Sequence, residues 1–228
     1  MQTMNIKHYI HLSFGAALTF LVGCAPIESH QVVQTQKVET YNTTYSGKKT
    51  TLAVGNFNNR SNYLQGLFSS NSDRLGNQAK TILKTHLHQT NRFKVVDREN
   101  LSQSTEEAKR LNKSQTVIGA RYVVTGAVSE FGRKEVGDKQ LFGILGSGRT
   151  QVAYAKVSLN VVDVLSSEII YSTQGAGEYK LGQREVLGFG TDAGYDATLN
   201  GKVLNLAITE SVNNMTRDLE TGSLKLKL

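Results

Sequence analysis

The sequence predicts an α+β domain: helices packed on a mixed sheet, with two β-hairpins projecting from it. Three observations carry that expectation. Apolar residues recur at helical spacing in two well-separated stretches, 73–89 and 197–219. Before and between them lie β-branched runs of alternating polarity. Finally, Lys139–Tyr179 (KQLFGILGSGRTQVAYAKVSLNVVDVLSSEIIYSTQGAGEY) joins two strands far longer than the ~5–6 residues usual in globular proteins. The first of the two has room for ~20 residues, so its halves do different work: one sits in the sheet and the other extends beyond it.

Composition fits this picture. The 228 residues are 39% apolar and 20% charged, suiting one domain with appendages. Of 21 glycines, 14 lie between Gly119 and Gly201, a density that fits strand bends, bulges and close backbone approach rather than helices. The net charge of +7 comes from scattered Lys and Arg without a dense block. That fits solubility or an anionic membrane surface nearby, and nucleic acid is not an expected partner. The lone cysteine, Cys24, leaves no intrachain disulfide and no cysteine-only metal site.

In chain order, a basic start precedes an apolar run, Leu12–Val22, shorter than the ~20 residues of a membrane helix. With the small residues before Cys24 it reads as a secretory signal, residues 1–23. Leu21-Val22-Gly23-Cys24 resembles a bacterial lipobox. That resemblance implies cleavage before Cys24, then a thioether-linked diacylglycerol and an acylated amine on it. Several acyl chains anchor a protein stably where one does not. Ala25 rather than Asp after the cysteine resembles the outer-membrane sorting state. Residues 24–48 are polar and lack apolar periodicity, so they read as a lipid-anchored flexible tether.

The domain then runs from residue 49 to 228. Lys49–Phe57 is the first strand, followed by a polar loop, Asn58–Ser72, that carries Tyr63, Leu67 and Phe68. Apolar residues on such a loop either tuck into the domain's own core or meet a partner. Asp73–Gln89 is an amphipathic helix (Leu75, Ala79, Ile82, Leu83, Leu87) capped by Ser72 or Asp73. Phe93–Val96 is a short strand and Asp97–Asn112 a polar helix with a thin stripe of Leu101, Ala108 and Leu111. Ala120–Val136 is a strand turning back at Gly137-Asp138-Lys139. The long strand follows, turns at Leu165–Glu168, and returns as Ile169–Tyr179. A second hairpin is expected to turn near Leu181–Glu185. Ala197–Leu219 is the closing helix, and SLKLKL after it could add an edge strand. The hairpins span about 129–154 and 172–195 in this reading, which makes the order β-α-β-α-β-β-β-α.

Catalytic patterns do not emerge. The mature chain holds His30, His86 and His88, with no GxSxG, P-loop, HExxH or EF-hand spacing. His86 and His88 fall on different sides of their helix and do not make a metal pair. Gly188-Phe189-Gly190 lacks the helix a dinucleotide site needs, and Glu185 and Asp192 read as solvated. An enzyme, a cofactor and a metal are therefore not expected.

The hairpins are the informative feature. From Phe142 onward, Phe142, Ile144, Gly146, Gly148, Thr150, Val152 and Tyr154 alternate with Leu141, Gly143, Leu145, Ser147, Arg149, Gln151 and Ala153. The first set could face lipid, with Phe142, Ile144, Val152 and Tyr154 as its membrane-facing members. Equally, glycine-rich hairpins serve as soluble arms gripping a neighbouring subunit. Two hairpins cannot close a barrel, so a membrane reading requires a ring of subunits.

From the lipobox, FGILGSGRTQVAYAKVSL, VVDVLSSEII and the closing helix, in that order, the chain resembles the curli-secretion channel family (CsgG and relatives) from about Lys49 to Leu219. The resemblance implies an outer-membrane lipoprotein assembled as a homo-oligomeric ring. Its α+β domains would lie on the periplasmic side, and its hairpins would join a shared membrane-spanning β-barrel. It further implies export of unfolded, amyloid-forming polypeptide without nucleotide, with periplasmic accessory proteins as further partners. In that family a Tyr-x-x-x-Asn-Phe loop narrows the pore. Here Tyr63, Leu67 and Phe68 stand at those positions, with Leu67 in place of the asparagine. The alternative is a lipid-anchored periplasmic scaffold or envelope-assembly adaptor that uses the same domain without a pore.

Overall fold

The computed structural model of the chain describes residues 35–63, 73–139, 147–184 and 197–227. Its elements follow the expected order. They are β1 (Thr50–Asn59), α1 (Arg74–Gln89), β2 (Phe93–Val96), α2 (Leu101–Arg110), β3 (Tyr122–Lys139), β4 (Ser147–Asp163), β5 (Ile169–Arg184) and α3 (Ala197–Thr221). The five strands form one mixed sheet in the order β2-β1-β3-β4-β5. β1 runs parallel to β2 and β3, while β3-β4 and β4-β5 are antiparallel.

The apolar spacing of the helices becomes the core directly. α1 buries Leu75, Ala79, Leu83 and Leu87. α3 buries Val203, Leu204, Ala207, Ile208, Val212 and Met215 without residual exposure, beside Val157, Leu159 and Val161 of β4. α3 seats closely because β5 offers glycines beneath it. A Cβ at Gly175 would lie 2.2 Å from the Ala207 carbonyl oxygen, and one at Gly177 2.7 Å from that of Val203. Polar residues on the buried face of α3 are satisfied within the helix. Thr209, Ser211 and Thr216 hydroxyls donate to the carbonyls of Asn205, Ala207 and Val212. Between the helices lies the 3% exposed His86, its Nε2 2.8 Å from Asn205 Oδ1 and 3.1 Å from Thr209 Oγ1.

Five local readings change. α2 starts four residues later than expected because Asp97 accepts from the Glu99 amide and the Asn100 side chain, a turn that competes with helix. Lys80 and Lys84 hold that turn against α1 through Glu99, and their hydrogen bonds keep its carboxyl below its usual range. Lys139 and the two residues before it do not turn but pair with Ser147–Arg149. Leu181–Arg184 likewise stay in register with Gln151–Gly148 instead of turning. The returning half expected for that second hairpin, beyond Arg184, lies outside the described residues before Ala197.

The last two changes concern the ends of the domain. Thr35–Lys48, read as part of the tether, docks along α3. Val38 is 3% exposed, the Glu39 amide donates to Asn213 Oδ1, and the buried Arg92 joins Glu220 to Thr43. Val38, the partly buried Tyr41 and hydrogen bonds to side chains of α3 and Arg92 suffice for this, so no periodicity announced it. The C-terminal residues bury Leu224, and the Lys227 amide donates to the Tyr122 hydroxyl, but among the described residues no ladder forms there.

Candidate functional site

β3, β4 and β5 outrun the rest of the sheet. β1 leaves β3 at Asn59↔Val128, and a bulge follows at once, between Val128 and Glu130. Bulges bend strands and sharpen their twist. The Ser129 hydroxyl, at the bulge, donates to the Lys156 carbonyl. α3 covers the three strands as far as the row Arg133↔Ala153↔Tyr179. There Asn200 Oδ1 accepts from Arg133 Nε and Nη2 at 3.0 and 2.8 Å, and Lys202 Nζ stands 5.1 Å from the Tyr179 ring centre. Past that row the strands continue as a three-stranded arm, Lys134–Lys139 with Ser147–Val152 and Lys180–Arg184. Six residues of β3 extend the arm by ~20 Å at ~3.4 Å per residue.

The register decides what the arm can face. Val152 pairs with Lys134 on one side and Lys180 on the other, so two lysines flank it on the same face. The next rows are Val136↔Thr150↔Gly182 and Asp138↔Gly148↔Arg184. In β3 both alternate sets carry charge: Lys134 and Asp138 in one, Glu135 and Lys139 in the other. A lipid-facing strand needs ~9–11 residues with one apolar set. The alternate set from Phe142 to Tyr154 carries no charge itself, but only seven residues, 140–146, separate β3 from β4, so on β3 no such set fits without including these charges.

Of the membrane-facing residues read from the sequence, Val152 is 2% exposed, covered rather than presented by the single subunit, while Tyr154 is 37% exposed and lies over Gly132. Phe142 and Ile144 lie outside the described residues.

At the root of the arm, Tyr63 packs on Phe131, ring centres 4.7 Å apart, and its hydroxyl accepts from Asn200 Nδ2 at 3.0 Å. Of the two placements open for this loop's aromatic residues, Tyr63 thus takes the domain's own core. The loop's ends are pinned. Asn59 Nδ2 donates to the Tyr63 carbonyl, and Asp73 accepts from the amides of Asn59 and Gly76 at 2.6 and 2.7 Å. Asp73 thereby caps α1 and closes the loop at once. Leu67 and Phe68 lie outside the described residues, as does Cys24. Sequence reasoning missed Asn200 and Arg133, which tie Tyr63, β3 and α3 together. A lone polar pair far apart in the chain gives no local signal.

No helix among the described residues is long and apolar enough to cross a membrane, which says nothing of strands. Among them, no group of His, Cys, Asp or Glu could hold a metal ion.

Known proteins place the chain. A family model described as "Curli production assembly/transport component CsgG" matches residues 33–227. A Neisseria meningitidis serogroup B protein named "Putative lipoprotein NMB1126/NMB1164" is 56% identical over 208 residues, 91% of this chain and 93% of that protein. Among solved structures, a PelC dodecamer from Paraburkholderia phytofirmans aligns at 19% identity over 72% of this chain and 86% of its own, with a TM-score of 0.37. Lipoprotein GNA1162 from Neisseria meningitidis aligns at 12% identity over 75% and 99%, with a TM-score of 0.34. With a family match across nearly the whole α+β unit and a relative at 56% identity, the chain belongs to the CsgG family.

Proposed function

We propose that this protein is an envelope lipoprotein, cleaved and acylated at Cys24 and held on the periplasmic side of the outer membrane, that acts as an assembly subunit. Its arm is a soluble element that grips neighbouring copies in a ring. The observation that carries this reading is the register of the arm: Lys134 and Lys180 flank Val152, and charge occupies both alternate sets of β3. A lysine on a lipid face costs ~2–4 kcal/mol near the bilayer midplane, and this arm would carry several charges at once. In an aqueous interface the same residues are ordinary. The lipoprotein name of the 56% identical relative supports the anchor at Cys24.

The family's description as an assembly and transport component favours a second reading, a secretion channel for unfolded, curli-like polypeptide. In it the ring's hairpins enter the membrane through Phe142, Ile144, Val152 and Tyr154, and Leu67 and Phe68 narrow the pore with Tyr63 at the base of their loop.

Planar-bilayer conductance of the purified, lipidated oligomer separates the two. The assembly reading expects no conductance steps from folded protein. Stepwise conductance that rises in the Tyr63→Ala/Phe68→Ala double variant overturns it in favour of the channel.

A further inference from the structure

Six of the seven large apolar side chains that stand exposed among the described residues fall in two short stretches: Leu111, Val117 and Ile118, then Val164, Leu165 and Ile169. The second stretch lies at the end of the sheet opposite the arm, and the chain that follows the first reaches it at Arg121, whose carbonyl accepts from the Val164 amide at 3.1 Å. Scattered exposed apolar residues are ordinary, whereas a concentration at one end marks a contact surface.

The β4–β5 turn that presents Leu165, 75% exposed, is held in place. Asp163 accepts from the Leu165 amide at 2.8 Å and from Arg121 Nη2 at 2.8 Å. Its own amide donates to the Glu168 carbonyl, and Ser167 takes a left-handed conformation, φ 60°, to close the turn. The apolar residues therefore stand on a projecting tip.

Basic residues lie on the segments that lead to this end of the sheet. Arg98 donates from Nη2 to the Ile118 carbonyl at 2.5 Å, and Lys113 lies between Leu111 and Val117. The C-terminal residues bring the exposed Lys225 and Lys227 to the same end through the bond from the Lys227 amide to the Tyr122 hydroxyl. On the acidic side, Asp163 is paired with Arg121, Asp97 and Glu99 with Lys84, and Glu107 with Arg110, which leaves Glu106 and Glu168 among the described residues of these segments.

We propose that this end is a docking surface for an anionic phospholipid membrane, with Leu165, Val164 and Ile118 entering the acyl boundary and the surrounding Lys and Arg meeting headgroup phosphates. A convex apolar tip with a basic surround suits lipid, where long basic side chains reach up to the phosphates while their stems stay apolar. Two copies meeting by this end would set basic against basic. The inference goes beyond the assembly reading and does not depend on acylation. It also fixes an orientation: with this end on the bilayer, the arm points away from it. Vesicle binding through Leu165 and bilayer conductance through the arm therefore exclude one another for a single molecule.

The test uses the full mature chain with Cys24→Ser, so that no acyl anchor contributes, and sedimentation with vesicles of equal parts phosphatidylglycerol and phosphatidylcholine. Binding is expected to these vesicles and not to phosphatidylcholine alone. Leu165→Glu should weaken it by about tenfold or more, and Lys225→Gln/Lys227→Gln by about tenfold with a shallower salt dependence. Leu165→Ser, a change at an exposed tip, should keep the native thermal melt and still lose binding. Absence of binding, equal binding to both vesicle types, or indifference to Leu165→Glu overturns the proposal. So does a fall in molar mass by light scattering in Leu165→Glu without vesicle binding, which assigns the tip to a second copy. Capture of an acidic polypeptide by a chain that ignores both vesicle types overturns it too.

Discussion

The same three strands obey two different rules along their length. Under α3, β4 contributes the buried Val157, Leu159 and Val161 to the interface, and β5 contributes glycines so that the helix backbone can close on it. Past the row Arg133↔Ala153↔Tyr179, the partners become Lys134, Val152 and Lys180, then Asp138, Gly148 and Arg184. The first region is held by burial, which contributes ~25 cal/mol for each Å² of apolar surface removed from water. The arm has its ladder hydrogen bonds, each worth only ~0.5–1.5 kcal/mol net, and among its described side chains one buried apolar residue, Val152. The difference teaches where to look for stability and where for contact: the interface under α3 is expected to hold the domain, and the arm to serve what it touches.

The sharpest way to break that contrast is to strike both regions equally hard. Ile208→Ala or Leu159→Ala should cost ~2–5 kcal/mol, because each removes a fully buried side chain from a close-packed interface. Replacing residues 134–152 by a two-residue turn should cost less than either, although it also removes the buried Val152. Urea unfolding followed by circular dichroism reads both. An arm deletion as damaging as the core truncations would erase the distinction.

A smaller effect is expected at the glycine seat. Gly175→Val should lose ~1–3 kcal/mol, since its Cβ would enter the space of the Ala207 carbonyl and the Ser211 amide, neither of which is a flexible side chain. A melt unchanged by this substitution would mean that α3 does not close on β5 as described.

The smallest effect depends on pH. Arg121 first, and the Leu165 amide second, hold the Asp163 carboxyl below its usual range. A carboxyl depressed in the folded chain adds stability above its unfolded value of ~3.9, and that contribution is lost as the pH falls through the folded value. The gap in melting temperature between native chain and Asp163→Asn should therefore be constant near neutrality and close in acid. A gap that stays constant down to pH ~2 would show that the carboxyl's charge plays no part in holding the turn.

Much of the fold was legible in the sequence because its signals are local and repeated. The spacing of Leu75, Ala79, Leu83 and Leu87 is a helix by itself, as is Val203 to Met215, and FKVV needs no context to read as a strand. The parts that were not legible are single residues acting across long separations. Val38 docks a polar segment, and Asn200 joins Arg133 to Tyr63. The candidate site was half legible. Alternation from Phe142 to Tyr154 is plain in the sequence, yet a membrane face is a property of neighbouring strands together. Only the register sets Val152 between two lysines. α2, read as a polar helix with a thin stripe of Leu101, Ala108 and Leu111, buries none of its ten residues, Leu101–Arg110.

The continuity of β4 through both regions has a mechanical consequence. It pairs with β3 from Asp163 to Ser147 and with β5 from Val162 to Gly148, so nearly its whole length is flanked on both sides. Ladder hydrogen bonds lie across the strand direction. A pull on the arm along that direction would load these bonds together in shear rather than unzip them singly. Force applied at the tip would thus travel into the layer beneath α3 with little local yielding. Whatever grips the arm holds the whole domain by a stiff handle.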